Sequence, residues 1–321
     1  MMSPARTPQR GAALLLAMLI VTLVATLAAG MVWQQWQAVE VEAAERARTQ
    51  ASWLVQGAVD WARLILRTDG NDNKHRNIDS LDEVWATPLQ DVKLSDFLAA
   101  DRNNTTDSPL EAVLSGQITD AQARYNLRNL VQSTPEDAAL HLAVMQRLCD
   151  TLGLPSDTAA RIAEGLRGPE LTESPSSTQA STTGRSLLTP QRTSQLAWLG
   201  LDADTLARLT PFVTLLPTNT QVNINTAPPE VLMAVIAGLD RATAERMLKA
   251  RLQGGFATLD DARKLMPASL QTDPRLLAVA TQHFEIVGEL RYDSHVLREL
   301  TLVRRQRSEV TVLRRETLPH D

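Results

Sequence analysis

Two short polar stretches hold the side chains of this sequence that are best suited to binding a metal ion. Their oxygen-bearing residues are Asp69, Asn71, Asp72, Asp101, Asn103 and Asp107. Carboxylate and amide oxygens are the hard ligands that Ca²⁺ prefers. Neither stretch has the spacing of an EF-hand loop, and turns rich in Asn and Asp are also common without a metal. The six residues are therefore candidate calcium ligands, with ordinary polar turns as the alternative.

Residue types that carry out catalysis are present but scattered. The five histidines include no pair at metal-ligand spacing, and the sequence contains no nucleophile elbow, glycine-rich phosphate loop or zinc-binding pair. The single cysteine, Cys149, can form no internal disulfide, and its helical, apolar surroundings favour a core position over a reactive thiol. The sequence therefore predicts a protein that is not an enzyme and that requires no cofactor.

Phosphate binding is a further chemistry to consider, for residues 222–265. The stretch VNINTAPPEVLMAVIAGLDRATAERMLKARLQGGFATLDDARKL predicts three short helices, the first two of which are followed by glycines. Thr226 and the prolines after it favour the start of the first helix, and Asp240 can cap the second. Thr258 and Asp261 have the spacing of a capping box for the third.

This stretch resembles the helix-hairpin-helix family, which includes DNA-uptake receptors that also begin with VNINTA. Those modules bind the phosphate backbone through a Gly-hydrophobic-Gly hairpin whose backbone N–H groups point at phosphate. The corresponding residues here are Gly238, Leu239 and Asp240, and the aspartate would repel phosphate. The basic residues nearby are Arg241, Arg246, Lys249 and Arg251. A membrane-anchored DNA-binding or DNA-uptake protein is thus one alternative function.

The overall composition is that of an ordinary globular protein. The chain has 321 residues, of which 44% are hydrophobic and 21% are charged, so its soluble part should bury a substantial core. The formal net charge of −5 gives no support to a nucleic-acid partner, whose electrostatic footprint on a protein is basic.

The elements that would position these residues begin with a long apolar segment. Residues 12–32 carry no charge and match the ~20 residues that a helix needs to cross a bilayer. Arg6 and Arg10 precede the segment and Glu40 is the first charge after it, so the positive-inside bias predicts a cytoplasmic N-terminus. Apolar residues then recur at intervals of three and four, which predicts one helix over residues 12–67.

A secretory signal peptide is the alternative reading of the same segment. Ala28, Ala29 and Gly30 could form a small-residue cleavage site. Cleavage there would release a soluble periplasmic protein.

The rest of the chain predicts a mixed α+β protein. Trp85, in SLDEVWATPLQ, is the expected anchor of a core. Residues 112–118 and 123–127 predict two short strands joined by a turn near Asp120. From Thr134 and Pro135 onward the pattern is helical. Residues 172–184 are polar and predict a mobile loop or linker.

The last part of the chain changes to a strand pattern at about residue 282. Its β-branched residues alternate with polar ones, which predicts three antiparallel strands. The turns are expected at Asp293-Ser294 and at Arg307-Ser308. A helical block between two groups of strands suggests a helical domain inserted into an α+β domain.

The N-terminus resembles the class III signal and first helix of type IV pilins and of type II secretion pseudopilins. This chain and those proteins share a basic leader that ends in glycine, an apolar run that starts immediately after it and an amphipathic continuation of the helix. In that family a prepilin peptidase cuts after the glycine on the cytoplasmic face, which here lies between Gly11 and Ala12. The apolar helix then remains as a membrane anchor and later becomes the filament core.

Leu16 occupies the fifth position after that cut. Pilins usually carry a glutamate there, which pairs with the N-terminal amine of the neighbouring subunit. A buried carboxylate is costly unless it is paired, so its absence suits a tip subunit with no neighbour beyond it. The K-class minor pseudopilin lacks this glutamate, and DEVWATPL, YNLRNL, VNINTA and the C-terminal strands resemble that class too. The chain is therefore identified as a member of the general secretion pathway protein K family.

The resemblance implies an α+β, pilin-like fold. In that fold a long N-terminal helix packs on a small antiparallel sheet, and a large all-α domain of SAM-like, helix-hairpin-helix type is inserted. The implied divisions are a leader at 1–11, the transmembrane half of the helix at 12–33, the first part of the pilin-like domain at 34–128, the inserted helical domain at 129–281 and the C-terminal strands at 282–321. Within the insert, the SAM-like part is expected at 222–266 and a flexible loop at 172–186.

The resemblance also implies a non-enzymatic function. The protein would join the tip complex that initiates and caps the periplasmic pseudopilus used to export folded proteins. Implied partners are the I-class and J-class minor pseudopilins, the major pseudopilin, the prepilin peptidase and the inner-membrane secretion platform, and no nucleic acid is expected. The protein would be a single-pass inner-membrane protein with a periplasmic soluble domain. Pseudopilins often bind calcium, so Ca²⁺ is an implied ligand.

Overall fold

The computed structural model describes residues 10–72, 77–93, 112–132, 134–167, 190–252, 254–292 and 295–319. The chain divides into two compact units, residues 1–56 and residues 57–321. Helix α1 extends over Arg10–Asp69 without a break, which confirms the prediction of one long N-terminal helix.

A five-stranded antiparallel sheet is the centre of the second unit. Its strands lie in the order β1-β2-β7-β8-β9. They are β1 (Leu89–Lys93), β2 (Ala112–Asp120), β7 (His283–Tyr292), β8 (His295–Gln306) and β9 (Glu309–Thr317). The three predicted C-terminal strands are therefore confirmed. Arg307 adopts a φ of 57° in the tight turn between β8 and β9, as expected for the turn at Arg307-Ser308.

The strands predicted at residues 112–118 and 123–127 are confirmed in part, but they do not pair with each other. Strand β2 continues to Asp120 and pairs along its whole length with β7 rather than with the next segment. The Asp120 side chain then accepts a hydrogen bond from the backbone N–H of Gln122, which starts a 3-10 turn at Ala121–Ala123. The following strand β3 (Tyr125–Asn126) has only two residues and pairs in parallel with β4 (Val213–Thr214). The turn residue thus caps a short helix instead of reversing the strand.

One hydrophobic core lies between the C-terminal part of α1 and one face of this sheet. Val59 and Leu66 of α1 are fully buried and belong to the same cluster as Phe284 and Val303. Trp85 is 1% exposed and its ring meets that of Phe284 edge-on at 5.2 Å. Trp85 is thus confirmed as a core anchor.

The helical region, residues 127–281, forms a second and larger core. Its helices are α2 (Pro135–Thr151), α3 (Thr158–Arg167), α4 (Ala203–Leu209), α5 (Pro229–Val235), α6 (Arg241–Arg251) and α7 (Leu259–Arg263), and its short strands β5 (Val222–Asn223) and β6 (Leu277–Ala278) pair in parallel. Cys149 is 1% exposed within this core. Burial raises the pKa of its thiol to about 11, and the predicted core position of Cys149 is confirmed.

Sequence signals at the helix starts are confirmed in this region. The Thr134 hydroxyl accepts a hydrogen bond from the backbone N–H of Asp137 at the start of α2. Thr258 and Asp261 form the expected capping box of α7. These side-chain oxygens accept hydrogen bonds from backbone N–H groups that would otherwise lack an acceptor at the start of each helix.

The helical region packs on the opposite face of the sheet from α1. Leu302 and Val303 are successive residues of β8, so their side chains point to opposite faces of the sheet. Leu302 is buried in a cluster with Ala121 and Leu216. Arg124 and Glu285 form an ion pair at 2.6 Å beside this contact. The helical region therefore contacts the second face of the sheet at this point.

Candidate functional site: the N-terminal helix and a buried polar junction

The predicted processing site and membrane segment lie in the first unit, at the start of α1. Gly11 and Ala12 are helical. Leu16 is 61% exposed, and the other large apolar side chains of this segment are similarly uncovered. An 18-residue window in this helix has a mean hydropathy of 2.5 and none of it is buried, so its length and composition suffice to cross a membrane. A signal sequence would share these properties, so cleavage between Gly11 and Ala12 stays a prediction.

A polar junction connects the end of β2 to the helical region in the second unit. Asp120 is 5% exposed, and its carboxylate accepts hydrogen bonds from three donors. They are the backbone N–H of Gln122 at 2.7 Å, the Asn223 amide at 2.8 Å and the Thr226 hydroxyl at 2.6 Å. Burial raises the pKa of Asp120, and these donors oppose that effect. Asn223 and Thr226 belong to VNINTA, so this motif ties the helical region to the sheet.

A buried ion-pair cluster continues this junction. Arg305, on β8, is 9% exposed and lies 4.8 Å from the centre of the Phe284 ring. Its guanidinium donates to Asp69 at the end of α1, at 2.6 Å, and to Asp79. Burial raises the pKa of Asp79 to about 6, although Arg305 beside it acts in the opposite direction. One guanidinium thus joins α1, the segment after it and β8.

Glu83 is the third carboxylate of this cluster. It is 3% exposed, and its oxygens accept hydrogen bonds from the backbone N–H of Ser80 at 2.8 Å and from the Trp85 indole at 2.7 Å. Burial, with a contribution from the nearby Asp69 carboxylate, raises the pKa of Glu83 to about 8. Oxygens of Asp69, Asp79 and Glu83 lie within 4.8 Å of one another. Three acids with one guanidinium therefore favour a bound proton in the cluster at neutral pH.

The calcium candidates are only partly brought together. Asp69 already bonds Arg305, as described, and the Asn71 amide donates to the carbonyl of Arg67 at 3.0 Å. Asp72 is exposed. These contacts do not orient the three residues as one set of ligands. The other candidates, Asp101, Asn103 and Asp107, lie outside the described residues, and calcium binding stays a prediction.

In the hairpin that resembles a phosphate-binding module, Asp240 and Arg241 contact other groups of this protein. The Asp240 carboxylate accepts from the backbone N–H of Thr243 at 2.8 Å and caps α6. Arg241 forms ion pairs with Glu230 and Glu245, both at 3.2 Å. The Asp240 carboxylate would repel a phosphate group at this hairpin. The Arg241 guanidinium is already paired with Glu230 and Glu245.

Arg251, another candidate for phosphate contact, is also engaged inside the protein. It is 7% exposed and donates to the carbonyl oxygens of Ala227 at 2.6 Å and Ile224 at 3.2 Å. Its guanidinium thus holds the VNINTA segment against α6. Thr226, which was expected to start α5, bonds Asp120 instead, and Pro228 stands at the N-cap position.

Sequence reasoning did not identify the members of the junction as partners. Asp79 and Arg305 are 226 residues apart, and Asp120 and Thr226 are 106 residues apart. The one available signal was polarity within apolar surroundings, because Asn223, Asn225 and Thr226 alternate with apolar residues in this stretch. Buried polar side chains of this kind need partners from elsewhere in the chain.

Comparison with known proteins finds similar proteins of one kind. Two family models described as "Type II secretion system (T2SS), protein K" match residues 123–218 and 222–281. The type II secretion system protein K of Pseudomonas aeruginosa is 28% identical over 97% of this chain and 93% of its own length. That of Aeromonas hydrophila is 29% identical over 97% of this chain and 98% of its own length.

A solved structure has the same fold. A chain of the GspK-GspI-GspJ complex from the type 2 secretion system of enterotoxigenic Escherichia coli matches with a TM-score of 0.65 and 21% identity. The match covers 86% of this chain and 99% of that chain. The fold is therefore shared over most of the chain, and the alignments with relatives include nearly the whole sequence. Over nearly its whole length the chain is therefore similar to type II secretion system protein K.

Proposed function

We propose that this protein is the minor pseudopilin of K class in a type II secretion system, where it forms part of the tip complex that initiates and caps the periplasmic pseudopilus. The observation that carries the proposal is the extent of the likeness. Relatives named as protein K align with 97% of the chain, including the N-terminal helix as well as the sheet and the helical region. The role is structural, since the protein would bind other subunits and transfer no chemical group.

The I-class and J-class minor pseudopilins are the proposed partners at the tip. A protein of the same fold belongs to the solved GspK-GspI-GspJ complex. The major pseudopilin, the prepilin peptidase and the inner-membrane platform are further partners that the pathway requires. The proposed orientation places the N-terminus in the cytoplasm and residues after the apolar segment in the periplasm, because Arg6 and Arg10 precede that segment.

Leu16 supports a position at the filament tip. A glutamate at this position would need the amine of a subunit further toward the tip, since a carboxylate within the membrane is costly without a partner. The large helical region is also suited to an end position, because such bulk repeated in each subunit would crowd a filament. We expect Leu16→Glu to lower the amount of this protein that is recovered with its two partners.

Gene deletion with complementation tests the function directly. The deletion strain should retain exported proteins in the periplasm, and the wild-type gene should restore their export. The full-length protein, extracted in detergent, should copurify with the I-class and J-class subunits. Normal export in the deletion strain, or recovery of the protein without either subunit, would refute the proposal.

A further inference from the structure

An apolar groove lies beside the C-terminal part of α1 in the second unit. One wall is formed by Trp61 and Ile65 of α1, and Val84 lies at the rim. The floor includes Gly116 and Gly288, which are opposite each other in β2 and β7. Two glycines in register leave no side chains at that point, and the groove has a volume of about 210 Å³. The space is large enough for one bulky apolar side chain.

Large apolar side chains are displayed around this groove. Val84 is 74% exposed and Trp61 is 44% exposed. Leu64, which is 56% exposed, lines a neighbouring cavity that shares Ile65 and Val84 with the groove. Single exposed apolar residues are ordinary on protein surfaces, but a contiguous group beside a groove is typical of a protein-binding surface. The burial of these side chains by a partner would remove apolar area from water.

The groove leads into an acidic cleft. Ile65 and Val84 line both cavities, and the carboxylates that line the second are those of Asp69, Asp72, Asp82 and Glu83. The described residues that line this cleft include no lysine or arginine. Arg305 pairs with Asp69, whereas the Asp82 carboxylate is exposed at this end. A basic group on a partner would complement this end.

We propose that the groove binds a polypeptide segment of a second pilin-like subunit, in which a bulky apolar side chain is followed by a lysine or arginine. The apolar side chain would lie over Gly116 and Gly288, and the basic group would lie beside Asp82. The inference rests on the proposed function, since it assigns a binding surface within the same tip complex. Apolar contact supplies affinity here, and the acidic end fixes the direction of the bound segment.

Paired substitutions in the full-length protein, in detergent, test this assignment. Val84→Ser removes apolar contact at the groove, and Leu252→Ser is its control because Leu252 is 67% exposed on the helical region. Asp82→Lys reverses charge in the acidic cleft, and Asp150→Lys does so at an exposed position on α2. All four positions are exposed, so the variants should fold. Kd is measured for the purified I-class and J-class subunits at low and high salt.

The proposal predicts that Val84→Ser weakens binding of one subunit roughly five- to tenfold. Asp82→Lys should weaken it by about threefold or more at low salt and less at high salt. The two controls should bind within about twofold of wild type.

Unchanged affinity for both groove variants, with normal binding by wild type, would overturn the groove while the proposed function stands. Weaker binding by Val84→Ser, together with unchanged binding by Asp82→Lys, would overturn the proposal that a lysine or arginine of the partner lies beside Asp82. Failure of the wild-type protein to bind either subunit would overturn both the groove and the proposed function.

Discussion

The hydroxyl of Thr226 donates a 2.6 Å hydrogen bond to the buried carboxylate of Asp120. The two residues are 106 positions apart in the chain, and Asn223 donates to the same carboxylate oxygen at 2.8 Å. The VNINTA motif, which resembles the opening of DNA-binding modules, therefore acts here as a structural connection between the sheet and the helical region. Its polar side chains bind the protein itself.

Removal of the Asp120 carboxylate should destabilise the protein strongly. Asp120→Ala removes one buried acceptor of the Asn223 amide and of the Thr226 hydroxyl. The carbonyl oxygens of Asp79 and Asn223 remain as their other acceptors. The change should lower the free energy of unfolding by about 3 kcal/mol. Urea unfolding followed by tryptophan fluorescence measures this change. Asp150→Ala, at an exposed position on α2, is the control and should change stability by less than about 0.5 kcal/mol. Equal effects of the two substitutions would disprove the junction.

Glu83 should make stability depend on pH. Burial raises its pKa from 4.5 to about 8, so the folded state binds a proton that the unfolded state has released over this interval. Stability should therefore fall as pH rises toward about 8 and level off above it, by roughly 1 kcal/mol per pH unit. Above pH about 6 the similar effect of Asp79 has ended, because the pKa of Asp79 is raised only to about 6.

Unfolding measured from mildly acidic to alkaline pH tests this dependence. Glu83→Gln should remove most of the slope, because a glutamine carries no titrating proton. Asp82→Asn, at the exposed neighbouring position, should leave the slope intact. A slope that survives Glu83→Gln would contradict the assignment.

Two helical glycines should respond in opposite directions to alanine. A Cβ at Gly165 on α3 would lie 2.4 Å from Cδ2 of Leu199, whereas a Cβ at Gly57 on α1 would meet no atom within 4 Å. Gly165→Ala should cost about 1–3 kcal/mol through overpacking, and Gly57→Ala should gain up to about 1 kcal/mol through lower backbone entropy in the unfolded chain. Thermal unfolding of both variants measures the difference. A gain at Gly165 would show that Leu199 does not pack closely on α3.

DNA binding should be absent. The Asp240 carboxylate, the ion pairs of Arg241 and the burial of Arg251 all oppose phosphate contact. Fluorescence anisotropy with duplex DNA at low salt should therefore show no saturable binding by the full-length protein. Binding that weakens steeply with salt and is lost in Arg241→Ala or Arg246→Ala would instead support the DNA-uptake alternative.

Local sequence signals predicted much of the fold. The caps at Thr134, Asp240 and Thr258 were identified correctly because each involves residues three positions apart. The long helix and the C-terminal strands were predicted from hydrophobic periodicity, which extends over many residues and averages out local exceptions.

Contacts between distant segments account for what the sequence did not reveal. The segment after β2 was expected to be a strand joined to β2 by a turn, but β2 pairs instead with β1 and with β7, and β7 lies more than 160 residues away. The cluster of Asp69, Asp79 and Glu83 around Arg305 likewise depends on the meeting of α1 with β8. Pairings of this kind are decided by tertiary packing rather than by neighbouring residues.

The mature N-terminus of the protein recovered from membranes tests the pseudopilin account most directly. Intact mass spectrometry would be carried out on protein made with and without a prepilin peptidase. The account predicts a chain that starts at Ala12 and appears only when the peptidase is present, with residues 12–32 retained as the anchor. A start after Gly30, or an uncut chain in the presence of the peptidase, would contradict it.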